Sequence, residues 1–333
     1  MHKVKKCFPM KQKGFAMLKT SSISIIDFHL HFPVSHDVYL DGWEKRFVDR
    51  FGEAKLERIN HNQQALSERW RDAYLIPCTE EDIPDIETQA KRWVDETNKY
   101  RIDKVVFLTG GGNDRLAKIV KLAPDVFVGF AHHDPFSPGA AEELERAIVK
   151  LGLRGYKILA PTVEKRLDNP ELDPLWKIAE KYQLPVLIHF GILGGGGGIG
   201  NAINMNPLVI HDIAKGFPDI SFIVPHFGCG YTRELLQLAW ACPNIYIDTT
   251  GTNDWIRWMP YPVTICDLFR VFTETVGPQR IIFGSDSNHF PRGFTYPVFQ
   301  IQWQACRDIG LDDSSMCAIF HDNAARLLKN VRS

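Results

Sequence analysis

The chain of 333 residues is 44% hydrophobic and 24% charged, with 39 basic against 40 acidic side chains and a formal net charge of −1. That composition belongs to a globular protein long enough to bury a sizeable core. The charge balance excludes a chain built to bind nucleic acid or an anionic membrane surface, and no apolar run approaches the roughly 20 residues of a membrane helix. Seven scattered cysteines without a C-x-x-C pair argue against a disulfide framework and point to a reducing, cytoplasmic setting.

Residues 1–22 read as a basic tail, disordered or peripheral: Lys3, Lys5, Lys6, Lys11, Lys13 and Lys19 occur there with no acid and no apolar stretch of secretory type. Eight short apolar runs follow: "ISIIDFHLH" (23–31), "KVVFLT" (104–109), "VFVGFAH" (126–132), "RGYKILA" (154–160), "PVLIHFG" (185–191), "ISFIVPHFG" (220–228), "NIYIDTT" (244–250) and "RIIFGSD" (280–286). They are rich in Ile, Val, Phe and Tyr, as parallel strands buried on both faces are. Helical periodicity lies between them. "DRLAKIVKLA" (114–123) carries Leu116, Ile119, Val120 and Ala123 on one stripe, and "AAEELERAIVKLG" (140–152) stops at Gly152. In "DPLWKIAEKY" (173–182) Asp173 reads as the N-cap and Pro174 as the first helical residue.

Strands alternating with helices imply a parallel sheet with right-handed crossovers. Eight such units within residues 23–330 predict an α/β fold, a single (β/α)8 TIM barrel, over an open doubly wound sheet. Residues 33–100 form an extra stretch between the first two strands. Its segment "DGWEKRFVDRFGEAKLERINHNQQALSERWRDAYL" reads as helix and is expected to cap the barrel mouth.

The glycine run 194–198 raises a rival reading, because Gly195, Gly197 and Gly200 spell G-x-G-x-x-G. A dinucleotide loop opens a helix directly after its strand. Here the run starts several residues past His189, and "NAINMNP" precedes any helix. No Lys-Ser/Thr follows Gly200, so the P-loop pattern is absent as well. The run is read as a mobile loop beside the site.

The chemistry sits at strand ends. His29 and His31 are two apart on the first strand, so both face the barrel interior. The fifth predicted strand ends in His189, the sixth in His226 and the eighth in Asp286. Barrel active sites form at that rim. Imidazoles with a carboxylate make a nitrogen/oxygen site for one divalent cation, with Zn2+ the expected occupant and Mn2+ or Fe2+ the alternatives.

In H-x-H on strand one, His on strands five and six, Asp on strand eight, and the segments "LPVLIHFG", "FIVPHFG", "IIFGSDS" and "NAARLL", residues 23–330 resemble the amidohydrolase superfamily. More narrowly, they resemble the amidohydrolase-related branch that includes aminocarboxymuconate-semialdehyde decarboxylase and γ-resorcylate-type decarboxylases. The resemblance implies that His29, His31, His189 and Asp286 hold one metal. It implies that His226 acts beside the metal as acid/base or carbonyl polariser, with direct ligation or a propping role as the alternative. Asp286 would also carry protons. The implied activity is hydrolysis, in which metal-activated water attacks an amide or ester/lactone carbonyl of a small anionic substrate. Non-oxidative decarboxylation of an aromatic or unsaturated acid is the alternative, and a non-catalytic scaffold the third. A homodimer is implied by family analogy alone.

Several residues stay secondary. Lys157 is either a substrate contact, a lysine paired with a buried acid, or a carboxylated bridge between two metals. His289 and Arg292, on the loop after Asp286, would meet an anionic substrate. Asp27 is expected to be structural, and one of His132 and His133 to reach substrate. Trp255, Arg257 and Trp258 suggest a flat anionic ligand or plain packing at a subunit contact.

Overall fold

The computed structural model describes residues 24–34, 39–74, 82–193 and 201–332. The expected basic tail, Cys7, Cys78, His36 and the glycine run lie outside these residues. The strands are β1 (Ile25–His31), β2 (Ile102–Thr109), β3 (Phe127–Gly129), β4 (Ala131–His132), β5 (Tyr156–Leu159), β6 (Pro185–His189), β7 (Ser221–Val224), β8 (Ile245–Asp248) and β9 (Ile281–Ile282). Every neighbouring pair is parallel, in the orders β1-β2-β3 and β4-β5-β6-β7-β8-β9.

Two seams join these sheets into one cylinder of eight staves. At the first, β3 and β4 are a single stave interrupted at Phe130, whose amide still bonds to the Phe107 carbonyl on β2 at 2.9 Å while the Ala131 amide bonds to Gly155 at 2.8 Å. The second seam lies between the first and last strands. The Phe28 amide reaches the Phe283 carbonyl at 3.1 Å, the Asp286 amide reaches His29 at 2.9 Å, and the His31 amide reaches Ser287 at 2.9 Å. Gly284 makes that approach feasible, because a Cβ there would lie 2.7 Å from the His29 Cβ. The fold is a closed TIM barrel, as the alternation of strand and helix patterns implies.

The helices are α1 (Tyr39–Phe51), α2 (Glu53–Tyr74), α3 (Ile86–Tyr100), α4 (Asn113–Leu122), α5 (Ala140–Val149), α6 (Asp173–Lys181), α7 (His211–Gly216), α8 (Thr232–Ala241), α9 (Ile265–Val276), α10 (Tyr296–Asp308), α11 (Asp313–Cys317) and α12 (Asn323–Asn330). Asp173 is not the N-cap of α6. A 3₁₀ turn over Pro170–Leu172 runs straight into the helix and leaves Asp173 in its first turn. The extra stretch splits into unlike parts. Gly52, at φ +88°, breaks the helical reading into the α1/α2 pair. By contrast α3 lies on the barrel wall, with Trp93 fully buried against Phe107 and Phe290.

Alternation along the strands sorts the core. Val105, Phe107, Tyr156, Ile158, Val186, Ile188, Phe222 and Val224 pack outward under the helices. Ile26, Phe28, Val106, Leu108, Phe130, Leu187, Ile223 and Ile282 form a separate cluster with Ala324, Leu327 and Leu328 of α12. This second cluster fills the lumen, and α12 stoppers its lower end. Each such side chain contributes about 1.5–3 kcal/mol by leaving water. On β1 the period slips: Asp27 pairs with Val105 but Leu30 with Phe107, three steps against two. A bulge of this kind re-aims side chains. Here it coincides with the change from the apolar plug, ending at Phe28, to the polar layer that begins with His29.

Candidate metal centre

Four imidazoles line the rim in an unbroken row. Ring centroids lie 5.3 Å apart for His31 and His29, 5.4 Å for His29 and His226, and 5.0 Å for His226 and His189. His29 Nε2 and His31 Nε2 each stand 3.6 Å from Asp286 Oδ1. One ligand atom each from His29, His226 and Asp286 falls within a common 4.8 Å span.

Each ring spends one nitrogen on an oxygen outside the cluster. His29 Nδ1 lies 2.7 Å from Asp248 Oδ2, and His31 Nδ1 lies 3.0 Å from Thr109 Oγ1. His226 Nδ1 faces the Thr250 carbonyl at 3.1 Å. His189 differs, pointing Nε2 at the Ile192 carbonyl at 3.0 Å. A carbonyl only accepts, so the facing nitrogen carries the proton and the other nitrogen keeps its lone pair. Nε2 of His226 and Nδ1 of His189 are therefore the nitrogens left to act. Orientation of this kind by an outer oxygen is the usual support of a metal-binding histidine. The donor set, imidazole nitrogens around a carboxylate, suits a divalent transition metal.

Burial holds His29, His189 and His226 below the ordinary imidazole range, so these rings are neutral at neutral pH, the form that binds metal. Burial pushes Asp286 up, but the His31 side chain, with the electrostatic pull of the neighbouring imidazoles, outweighs it and holds the carboxyl well below its usual range. Asp286 is still 36% exposed, so the cluster opens toward solvent on that side.

The backbone is strained where the chemistry gathers. His226 (φ 58°), Phe227 (49°), Cys229 (47°), Asn253 (55°) and Asp286 (58°) all adopt left-handed conformations in the loops after β7, β8 and β9. Such positions cost about 1–3 kcal/mol each and persist where the surroundings over-determine them. Arg292 helps here, donating to the Asp286 carbonyl at 2.8 Å.

The remaining candidates fall elsewhere. Lys157 is buried at the floor of the polar layer, and burial lowers its pKa to about 7 against the pull of Asp286 and Asp248. His289 Nδ1 pairs with Asn288 at 2.7 Å. His132 accepts from the Gly112 amide at 3.0 Å, and His133 donates to the Ala140 carbonyl at 2.9 Å, so both tie down loop backbone. Trp255 is buried, its indole N–H on Asn253 at 3.1 Å. Asp27 receives the amides of Ser285 at 2.9 Å and His29 at 3.4 Å, linking β1 to the strand-nine loop. Sequence reasoning passed over Asp248 and Thr250. The signal was present in "NIYIDTT": an acid followed by two hydroxyls at the rim end of an otherwise apolar strand.

Comparison with known proteins identifies the family. A family model described as amidohydrolase matches residues 26–329. Over 78 residues the chain is 35% identical to 2-amino-3-carboxymuconate-6-semialdehyde decarboxylase of Dictyostelium discoideum, a match covering 23% of this chain and 22% of that protein. Over 114 residues it is 27% identical to protein fluG of Emericella nidulans, covering 33% of this chain and 12% of that protein. The chain thus matches less than a quarter of the length of either relative. Among solved structures, 5-carboxyvanillate decarboxylase from Sphingomonas paucimobilis superimposes with a TM-score of 0.61 at 17% identity, covering 93% of this chain and all of the other. The same activity's protein from Novosphingobium aromaticivorans, complexed with manganese and 4-hydroxy-3-methoxy-5-nitrobenzoic acid, gives 0.61 at 15% identity over 93% and 97%. A probable 2-pyrone-4,6-dicarboxylic acid hydrolase from Acinetobacter baumannii gives 0.56 at 15% identity over 92% and 100%. At these identities the likeness is one of fold.

Proposed function

Because the chain belongs to the amidohydrolase family, we propose that it is a metal-dependent decarboxylase of a small aromatic or unsaturated carboxylic acid. The observation that carries the metal-enzyme reading is the convergence of His29, His226 and Asp286 on one small space. The choice of decarboxylation is supported by the Dictyostelium relative and by the decarboxylases that share the fold.

In this reading His29, His31, His189 and Asp286 hold one divalent cation, with Zn2+ or Mn2+ as occupant. When bound, the cation acts as a Lewis acid on a substrate oxygen. The chain's own residues do the rest. Asp248 and Thr109 lock the rings of His29 and His31, so their Nε2 atoms are set before any ligand arrives. His226, held through Nδ1, presents Nε2 as the atom that moves a proton. The carbon–carbon bond breaks, CO2 leaves with the carboxylate carbon, and the electron pair left behind takes a proton that His226 Nε2, whose lone pair is free in the resting ring, has first taken up from solvent. Arg292 keeps the strained Asp286 backbone in place.

Hydrolysis of a lactone or amide is the second reading. The His226–Thr250 contact favours it, since a neutral ring protonated on Nδ1 offers a basic Nε2 to an attacking water. A fold neighbour of that activity also supports it. The two separate in one experiment: metal-loaded protein is given a panel of hydroxybenzoic acids and of lactones, with CO2 release and acid release followed in parallel. CO2 release that falls by about 10²–10⁴ in His226→Gln supports decarboxylation. Lactone opening without CO2 from any acid replaces it with hydrolysis.

A further inference from the structure

Lys157 sits within β5, flanked by Tyr156 and Ile158, both packed in the outer core. Its own side chain therefore enters the lumen. Register sets its height. Lys157 pairs with Leu187, and Leu187 with Ile223, two members of the apolar plug. Two residues beyond Leu187, on the same face of β6, stands His189. Lys157 thus marks the boundary where apolar filling gives way to the metal-binding layer.

It is 0% exposed, and its Nζ has no hydrogen-bond partner among the described residues. An ammonium offers three donors, and leaving them unmet in a buried place is strongly disfavoured. Among the described residues no carboxylate forms an ion pair with it, and Asp248 and Asp286 act on it through the field of the site. The same field runs from Lys157 to His29, His189 and His226. A buried donor within the field of a cluster of reactive groups, without a hydrogen-bond partner among the described residues, fits a ligand that comes from outside the chain.

We propose that Lys157 anchors the substrate through a second, charge-bearing oxygen, distinct from the carboxylate that departs. This deepens the decarboxylase reading and rests on it. When CO2 leaves, the electron pair stays on the carbon and spreads to any conjugated oxygen before His226 protonates that carbon. A cation placed on that oxygen stabilises the charge as it develops. A cation gripping the departing carboxylate would instead stabilise the ground state. The substrate class is accordingly a hydroxyaryl, enol or keto acid, in which an oxygen is conjugated to the carbon that loses CO2.

Equilibrium binding tests this without turnover. Calorimetry on metal-loaded protein compares salicylate, which carries the second oxygen, with benzoate, which lacks it. Wild type binds salicylate about 10- to 100-fold more tightly, the span of one hydrogen bond to a charged group. Lys157→Met abolishes that preference while keeping one equivalent of metal and melting no lower than wild type, because a buried unpaired cation has been removed. Lys157→Gln serves as the second variant should the methionine protein fail to fold. A preference that survives in the variants, one that is absent from wild type, or a loss of bound metal with the lysine overturns the proposal. Since binding is read without turnover, salicylate that binds through Lys157 but releases no CO2 in the panel assay would overturn the decarboxylase reading alone.

Discussion

The lower and upper halves of the barrel lumen share the same strands and oppose one another in chemistry. Below, Ile26, Phe28, Val106, Leu187, Ile223 and Ile282 close on α12 as an apolar cluster. Above, His29, His31, Asp248 and Asp286 are crowded together with bonds that orient rings, on loops whose backbone is left-handed at His226 and Asp286. The plug returns free energy on folding, and the rim spends some of it. The contrast teaches that stability and chemistry are separable here along a single axis, a few residues apart on each strand.

The sharpest way to break that division is at the rim. Asp286→Asn keeps a side chain tolerant of the left-handed backbone but removes the carboxylate charge from the proposed metal site. Activity should fall by roughly 10³ or more, since a Lewis acid is worth several kcal/mol. Metal content should drop while the melting temperature holds, and a variant that melts far lower with its metal retained would show the rim to be structural. Next comes the plug. Ile223→Ala should cost about 2–5 kcal/mol by denaturant unfolding and leave metal affinity within about twofold, the independence expected of sites without shared partners. A parallel loss of metal would join the two halves. A smaller effect is expected from Asp248→Asn, which should weaken metal binding by about 10- to 100-fold in a competition titration, with little change in unfolding.

The mildest test is a pH profile at Asp254, beside the rim. Burial raises its pKa to about 6 against the opposing pull of the Thr252 hydroxyl and of Arg257 and Arg292. The unfolded chain ionises this group near 3.8, so between those values the folded state holds more protons and stability falls as pH rises. Asp254→Asn should match wild type below pH 4 and melt higher above pH 6. The gain is a fraction of the full linkage value because the group is partly solvated. An advantage at low pH only would reverse the sign.

Much of the architecture was legible because burial on both faces leaves a simple mark. Each of the eight apolar runs overlaps a stave of the barrel, although β2 begins before its run, at Ile102, and even the interrupted stave at Phe130 lies inside one run, 126–132. H-x-H spacing speaks to facing, since alternation is a local property of a strand. Local pattern said less about Asp173, where a preceding 3₁₀ turn took over the role of a cap. It could not reveal the oxygens that orient the rings. His29 meets Asp248 across 219 positions and His31 meets Thr109 across 78. Such pairings are products of closure, and no window of sequence contains them. The bulge on β1 was hidden for the same reason, being a mismatch between two strands.

The seam between β1 and the segment after β9 also sets an order of events during synthesis. His29 leaves the ribosome well before Asp286 and the closing amides at 286 and 287. At about 5–20 residues per second, the nascent protein spends roughly 10–50 seconds as an open sheet with an unpaired first edge. Until the last stave docks, the β1 edge stays unpaired and Asp286 stays apart from His29 and His31, so the polar cluster at the rim assembles only on closure.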